Sequence, residues 1–164
     1  SDNGARTFEV ASDEDARRRL WKARHDAYWA TKAAWPGRQT LATDVCVPIS
    51  RLAECIAETE DDIARLGLVS PIVGHVGDGN FHATPVFDPG IAEERNAVEE
   101  FLGRLATRAI AMEGTCTGEH GIGQGKMRYL EKEFGDIGVS VMKAMKNALD
   151  PKAILNPGKL FAEG

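Results

Sequence analysis

The sequence is short of positive charge, of long apolar runs and of paired cysteines, and each shortage removes a class of function. Lysine and arginine number 20 against 25 aspartate and glutamate, a net charge of −5. That balance builds no basic surface for gripping a phosphate backbone, so nucleic acid is not an expected partner. No apolar stretch approaches the roughly 20 residues of a membrane-spanning helix, so no transmembrane segment is expected. The opening stretch SDNGARTFEV has neither the basic nor the apolar region of a secretory leader and reads as the cut edge of a longer element. The three cysteines, Cys46, Cys55 and Cys116, are odd in number and form no C-x-x-C pair. A disulfide framework is therefore not expected. A reducing compartment fits: cytoplasmic, peripheral to an inner membrane, or mitochondrial in a eukaryote.

What is present is an ordinary globular composition. A 43% hydrophobic fraction over 164 residues supports one domain, or one domain with an appendage. Residues 7–11 (TFEVA) suggest a short strand, and Ser12 with Asp15 suggests a capping box that starts a helix. Ala16, Leu20, Ala23, Ala27, Ala30 and Ala34 then step by three and four along one helix face, which Pro36-Gly37 ends. Trp21, Tyr28 and Trp35 form a second stripe, with Arg24 between the first two. Residues 41–48 (LATDVCVP) read as a strand. Ile49, Leu52, Ile56, Ile63 and Leu66 keep helical spacing up to Gly67, a natural stop. Two β-rich runs, VSPIVGHV and FHATPVF, flank GDGN, and residues 93–112 are helical again. Five glycines fall from Gly114 to Gly125, and two helices about 126–134 and 137–149 close the pattern. This order predicts an α+β, ferredoxin-like domain: a mostly antiparallel sheet, helices on one face, and a C-terminal helical tail.

The stretch GHVGDGNFH holds two histidines seven positions apart around Asp78-Gly79, a strong signal for a two-residue type I′ hairpin. Folding the chain there sets His75 opposite His82, with Cβ atoms roughly 4.5–5.5 Å apart on one face. Two such imidazoles could converge on a metal, or they could be an ordinary polar pair. A catalytic metal generally takes three protein ligands, and the glycine-rich stretch GTCTGEHGIGQGK offers Glu119 and His120. That stretch could equally be a surface loop with solvated charges. It lacks the spacing of a P-loop, and no strand precedes it as a dinucleotide fingerprint requires. Cys116 beside the pair reads as a packed filler rather than a nucleophile.

Taken together, GHVGDGNFH, GTCTGEHGIGQGK and DPKAILNPGKLF resemble the C-terminal domain of FAD-linked 2-hydroxyacid dehydrogenases of the vanillyl-alcohol-oxidase superfamily. The likeness is greatest to the cytochrome-type D-lactate dehydrogenases, which LWKARHDAYWA and TDVCVPISRL also resemble, with the glycolate oxidase flavin subunits and D-2-hydroxyglutarate dehydrogenases nearby. It covers nearly the whole chain. It implies that residues 1–164 form a substrate cap over FAD held by an N-terminal domain absent here, and that the isolated chain is inactive. It puts the family's divalent-metal ligands at His75, His82 and Glu119, its catalytic histidine at His120, and its substrate-carboxylate arginine at Arg24. Asn80 is expected near flavin or substrate. Asn156 and Lys159 in NPGK match the family's C-terminal motif, with Asn156 the cofactor contact, although a simple turn is an equal reading. Thr84 and Ala42 stand where hydroxyglutarate-specific relatives carry asparagine and lysine, which leans toward a small monocarboxylate such as D-lactate.

The implied reaction takes a D-2-hydroxy acid to its 2-oxo acid by hydride transfer to flavin. The metal, Zn, Mn or Fe(II), would act as a Lewis acid, and His120 as general base, imidazole ordinarily titrating near neutrality. Further expected partners are an electron acceptor (cytochrome, quinone or electron-transfer flavoprotein) and a second copy in a homodimer. The rival readings are a metal-dependent hydrolase or non-haem iron oxygenase with the same two-histidine, one-carboxylate set, and a non-catalytic metal-binding module.

Overall fold

Glycine and proline divide the chain into helices and short strands, and in the computed structural model, which describes residues 10–161, the long periodic stretches are the helices. Two units are described separately, one up to Pro36 and one from Gly37 onward. The first holds α1 (Glu14–Ala34), whose N-cap is Asp13: its carboxylate accepts from the Ala16 amide at 2.7 Å. Asp13 thus displaces the expected Ser12, one residue earlier, and Glu14 and Asp15 complement the positive end of the helix. The strand expected at 7–11 lies mostly outside the described residues, and Val10 and Ala11 are not in a strand.

The second unit runs β1 (Gln39–Thr40), β2 (Val45–Cys46), α2 (Ile49–Arg65), β3 (Ile72–His75), β4 (Asn80–Ala83), β5 (Val86–Phe87), α3 (Ala92–Ala111) and α4 (Leu130–Leu149). All the strand pairs are antiparallel: β1 with β5, and β4 between β2 and β3. The two ladders share one register. Between them Thr43 N–H donates to Ala83 O and Leu41 N–H to Pro85 O. The strand expected at 41–48 is therefore the run 39–46, split where Pro85 has no N–H to return a bond.

Alternation along β4 separates core from site. Phe81 and Ala83 are fully buried in one cluster with Val45 and Val47, Leu52 and Cys55 of α2, and Phe101, Leu105 and Ala109 of α3. Both helices thus cover the same face of the sheet. Asn80 and His82 occupy the opposite face, also buried. Helix α2 keeps its expected spacing except at Ile49, which is exposed in the first turn. Gly67 ends it in the left-handed region at φ 65°. The tail is a 3-10 turn, Met127–Tyr129, leading into α4, which bends at Gly135. The two expected helices are thus the two arms of that bend.

Candidate active site

The histidine pair arises from a turn different from the expected one. His75 pairs with Asn80, and Val73 pairs with His82. Four residues make the connection: a 3-10 turn, Val76–Asp78, closed by Gly79 at φ 75°. A Cβ on Gly79 would lie 2.0 Å from the Val47 carbonyl oxygen, and Val47 N–H donates to Gly79 O at 3.0 Å. The turn is moulded against the Val47 backbone, just past the end of β2. The register differs from the expected one by two residues. Because side chains alternate with period two, both histidines keep the same face. They are diagonal neighbours, ring centroids 6.2 Å apart and edge-on.

Glu119 completes the cluster. Its Oε1 lies 3.0 Å from His82 Nε2 and 3.8 Å from His75 Nε2. The three groups offer ligand atoms all within 4.8 Å of one another. The proton on His82 is assigned by its other nitrogen. Nδ1 lies 2.8 Å from the Thr43 carbonyl, which only accepts, so Nδ1 carries the hydrogen. In the neutral ring Nε2 then turns a lone pair toward a carboxylate oxygen. A proton shared by the two groups, or a bound metal ion, would bridge them at 3.0 Å. Two imidazoles and one carboxylate fit a divalent transition-metal ion, with a backbone carbonyl orienting one ligand from behind. His120 stacks on the His82 ring, centroids 5.0 Å apart and planes 10° from parallel, and is exposed.

Behind this layer lies a residue that the sequence did not single out. Asp44 is 1% exposed. Its Oδ2 accepts from the backbone N–H groups of Glu119 (2.9 Å) and His120 (2.8 Å) and from the Thr117 hydroxyl (3.0 Å). Its Oδ1 accepts from Asn80 Nδ2 at 2.8 Å. Lys126 donates to the Asp44 backbone carbonyl at 2.9 Å, with its ammonium 3.6 Å from Oδ2. Burial alone would raise the Asp44 pKa. The His120 amide, the Asn80 side chain, the Glu119 amide and the Lys126 charge outweigh it, and hold the carboxyl well below the usual range. Asp44 also falls within ligand distance of His82 and His120, but its oxygens are already taken by these donors. An aspartate inside an apolar β run was the available signal, since aspartate is almost never buried without partners.

The sequence model of the family described as FAD linked oxidases, C-terminal domain, matches residues 1–160. This chain belongs to that family. It is 54% identical over 160 residues to the probable mitochondrial D-lactate dehydrogenase of Danio rerio, covering 98% of this chain and 32% of that protein. It is 46% identical over 154 residues to the mitochondrial D-lactate dehydrogenase [cytochrome] of Arabidopsis thaliana, covering 94% and 27%. It is 37% identical to the glycolate oxidase subunit GlcD of Bacillus subtilis, covering 96% and 33%. The chain thus spans about a third of the length of these relatives. Among solved structures, the 4-ethylphenol oxidase of Gulosibacter chungangensis has a similar fold, with a TM-score of 0.63 at 18% identity, over 93% of this chain and 32% of that one.

The structure of this family member brings together His75, His82, Glu119, His120 and Asn80 among the residues singled out from sequence. Asn80 gives its amide hydrogens to Asp44 Oδ1 and to Val45 O (3.0 Å), and its buried Oδ1 has no hydrogen-bond partner. Asn156 sits elsewhere, in the closing turn at φ 48°, lining a recess with Lys143, Lys146, Asp150 and Phe161. Arg24 lies on α1, in the separate first unit. Thr84 is buried and donates its N–H to Pro71 O, while Ala42 is exposed. Among the described residues no helix is long and apolar enough to cross a membrane.

Proposed function

We propose that this chain is the C-terminal substrate cap of a flavin-dependent dehydrogenase that oxidises a small D-2-hydroxy acid, of the D-lactate kind, to the 2-oxo acid. The observation that carries the reading is the convergence of His75, His82 and Glu119 beside His120, in a chain whose relatives are named as D-lactate dehydrogenases and a glycolate oxidase subunit. FAD, held by the part of the protein outside this chain, supplies the hydride acceptor. A divalent ion held by His75, His82 and Glu119 supplies Lewis acidity toward the substrate hydroxyl.

The chain's own residues provide the rest. His120 is exposed, and accepts the hydroxyl proton at an imidazole nitrogen as hydride departs from the carbon. The His82 ring, fixed by its bond to the Thr43 carbonyl, backs His120 by stacking. Arg24 offers the planar two-pronged donor set that suits a carboxylate. The buried Oδ1 of Asn80, which no donor of the described residues meets, is the acceptor left for a hydrogen bond from flavin or substrate. Asn156 is assigned to the cofactor through the NPGK motif. The small monocarboxylate preference follows from Thr84 and Ala42, neither of which brings a cation for a second carboxylate.

The test is dye reduction by the full-length protein with D-lactate and L-lactate, before and after metal chelation. D-specific activity that chelation abolishes and a divalent ion restores is the expected result. A folded full-length protein without flavin would refute the dehydrogenase reading and favour a metal-dependent hydrolase. Full activity after complete metal removal would refute the Lewis-acid role.

A further inference from the structure

We infer that Asp44 is a positioning residue of this site, a buried side chain that orients Glu119, His120 and Asn80 together. The inference rests on the functional reading above, but its geometry stands independently. Consecutive backbone N–H groups of Glu119 and His120 converge on the single oxygen Oδ2, which fixes the peptide between them. With that peptide fixed, the Glu119 carboxylate meets His82 Nε2 at 3.0 Å and the His120 ring stacks on His82. The other oxygen takes one amide hydrogen of Asn80, and Val45 O takes another, so the Asn80 acceptor atom is turned away from both. The preceding residue, Thr43, orients His82 through its carbonyl. Residues 43 and 44, just before β2, therefore align four side chains drawn from β4 and from a loop 75 positions later.

The local chain is built to permit this approach. A Cβ on Gly118 would lie 2.1 Å from Asn80 Nδ2 and 2.9 Å from Asp44 Oδ1, so only glycine lets the loop descend onto the carboxylate. Thr117 and Lys126 bind Asp44 from the two sides of that loop. Neutralising Asp44 by substitution with asparagine keeps the shape but turns one acceptor into a donor. That donor would face either the Asn80 amide or the two loop N–H groups, all of which need an acceptor. The loop would then relax while the core on the opposite face of the sheet stays packed.

The experiment uses the full-length flavoprotein and the variants Asp44→Asn, Glu119→Gln and the double variant. Divalent-ion affinity is read by competition with a chromogenic chelator, and amide exchange over residues 117–121 by mass spectrometry. Flavin content and Tm are recorded alongside. Asp44→Asn is expected to weaken ion binding by about 10–100-fold, to speed exchange at Glu119 and His120, and to leave flavin content unchanged. Because Asp44 acts through Glu119, adding Asp44→Asn to Glu119→Gln should change ion affinity by less than about twofold. An equal further loss in the double variant, with Tm falling in step, would mean a merely structural role and overturn the inference. Unchanged exchange and affinity in Asp44→Asn would also overturn it. If Asp44→Asn does not fold, Thr117→Val removes one donor to the same oxygen. Faster exchange at 118–121 in that variant supports the inference, and unchanged exchange overturns it. If the parent binds no ion, the metal reading fails, and the exchange measurement alone still decides the role of Asp44.

Discussion

Replacing Gly79 by alanine should unhinge the turn that aligns the two histidines. Gly79 is buried and sits at φ 75°, where an L-residue with a Cβ pays roughly 1–2 kcal/mol. The added Cβ would lie 2.0 Å from the Val47 carbonyl oxygen, so the turn must also withdraw from the strand beneath it. Withdrawal breaks the bond from Val47 N–H to Gly79 O. Val47 is only 2% exposed, so its N–H is left without water and costs about 1–3 kcal/mol more. The combined loss is about 2–5 kcal/mol, a large part of the roughly 5–15 kcal/mol that keeps a domain folded. Gly77→Ala is the control, since nothing lies within 4 Å of a Cβ there and its φ is not positive. Urea unfolding of both variants of the 164-residue chain, followed by circular dichroism, reads the difference. At a slope of about 1–3 kcal/mol per molar, Gly79→Ala should lower the midpoint by at least about 0.7 M and Gly77→Ala should barely move it. Equal midpoints for the two variants would refute the steric reasoning.

Three more outcomes follow from other parts of the molecule. His120→Ala in the full-length protein should cut turnover by about 10²-fold or more with metal content intact, measured by dye reduction alongside elemental analysis; unchanged turnover removes His120 from the base role. Asp62 is buried and accepts from Arg104 at 2.8 Å and from the buried Arg108, so Asp62→Asn should cost about 3 kcal/mol by leaving Arg108 short of its counter-charge. Burial would raise the Asp62 pKa, but its bonds to Arg108 and Arg104 hold it below the usual value. Its contribution is therefore complete above about pH 4 and is lost as pH falls through the depressed folded value. Urea midpoints measured from pH 6 downward should show that loss in the parent and a shallower one in Asp62→Asn. The Cys116 thiol is pushed up to about 12, first by burial and then by Glu133, so iodoacetamide at pH 7.5 should spare it in the folded chain and modify it once urea unfolds the protein; rapid labelling of the native chain would contradict its burial.

What the sequence made legible was what depends on near neighbours. Leu52, Ile56, Ile63 and Leu66 place α2 because helical spacing repeats every three or four residues, and Gly67 ends it where a left-handed residue is needed. The shared face of His75 and His82 was legible too, because alternation depends only on parity. Their register was not, because the turn is shaped by the Val47 carbonyl about 30 positions upstream rather than by Asp78-Gly79 alone. At the start of α1 the choice between Ser12 and Asp13 was a matter of one residue between two good caps.

The same distinction explains why the ligands could be named and their support could not. His75, His82, Glu119 and His120 stand in short glycine-rich stretches that are conspicuous in themselves. Asp44 stands in an apolar run, and its carboxylate is met by donors of Asn80, Thr117, Glu119 and His120 and by the charge of Lys126, all at least 36 positions away. Its one local mark is a charge inside an apolar run, and its burial obliges those donors to be there, since an ionised carboxylate without them would not stay in the interior. One glycine of the 114–125 loop then has a purpose legible only in three dimensions. Gly118 lets the backbone settle onto a carboxylate, and Glu119 and His120 inherit their directions from that contact. On this view the loop holds its shape through a buried charge, so a substitution at Asp44 and one at Gly118 should disturb the same two side chains by opposite means: one removes the anchor, the other keeps the loop from reaching it.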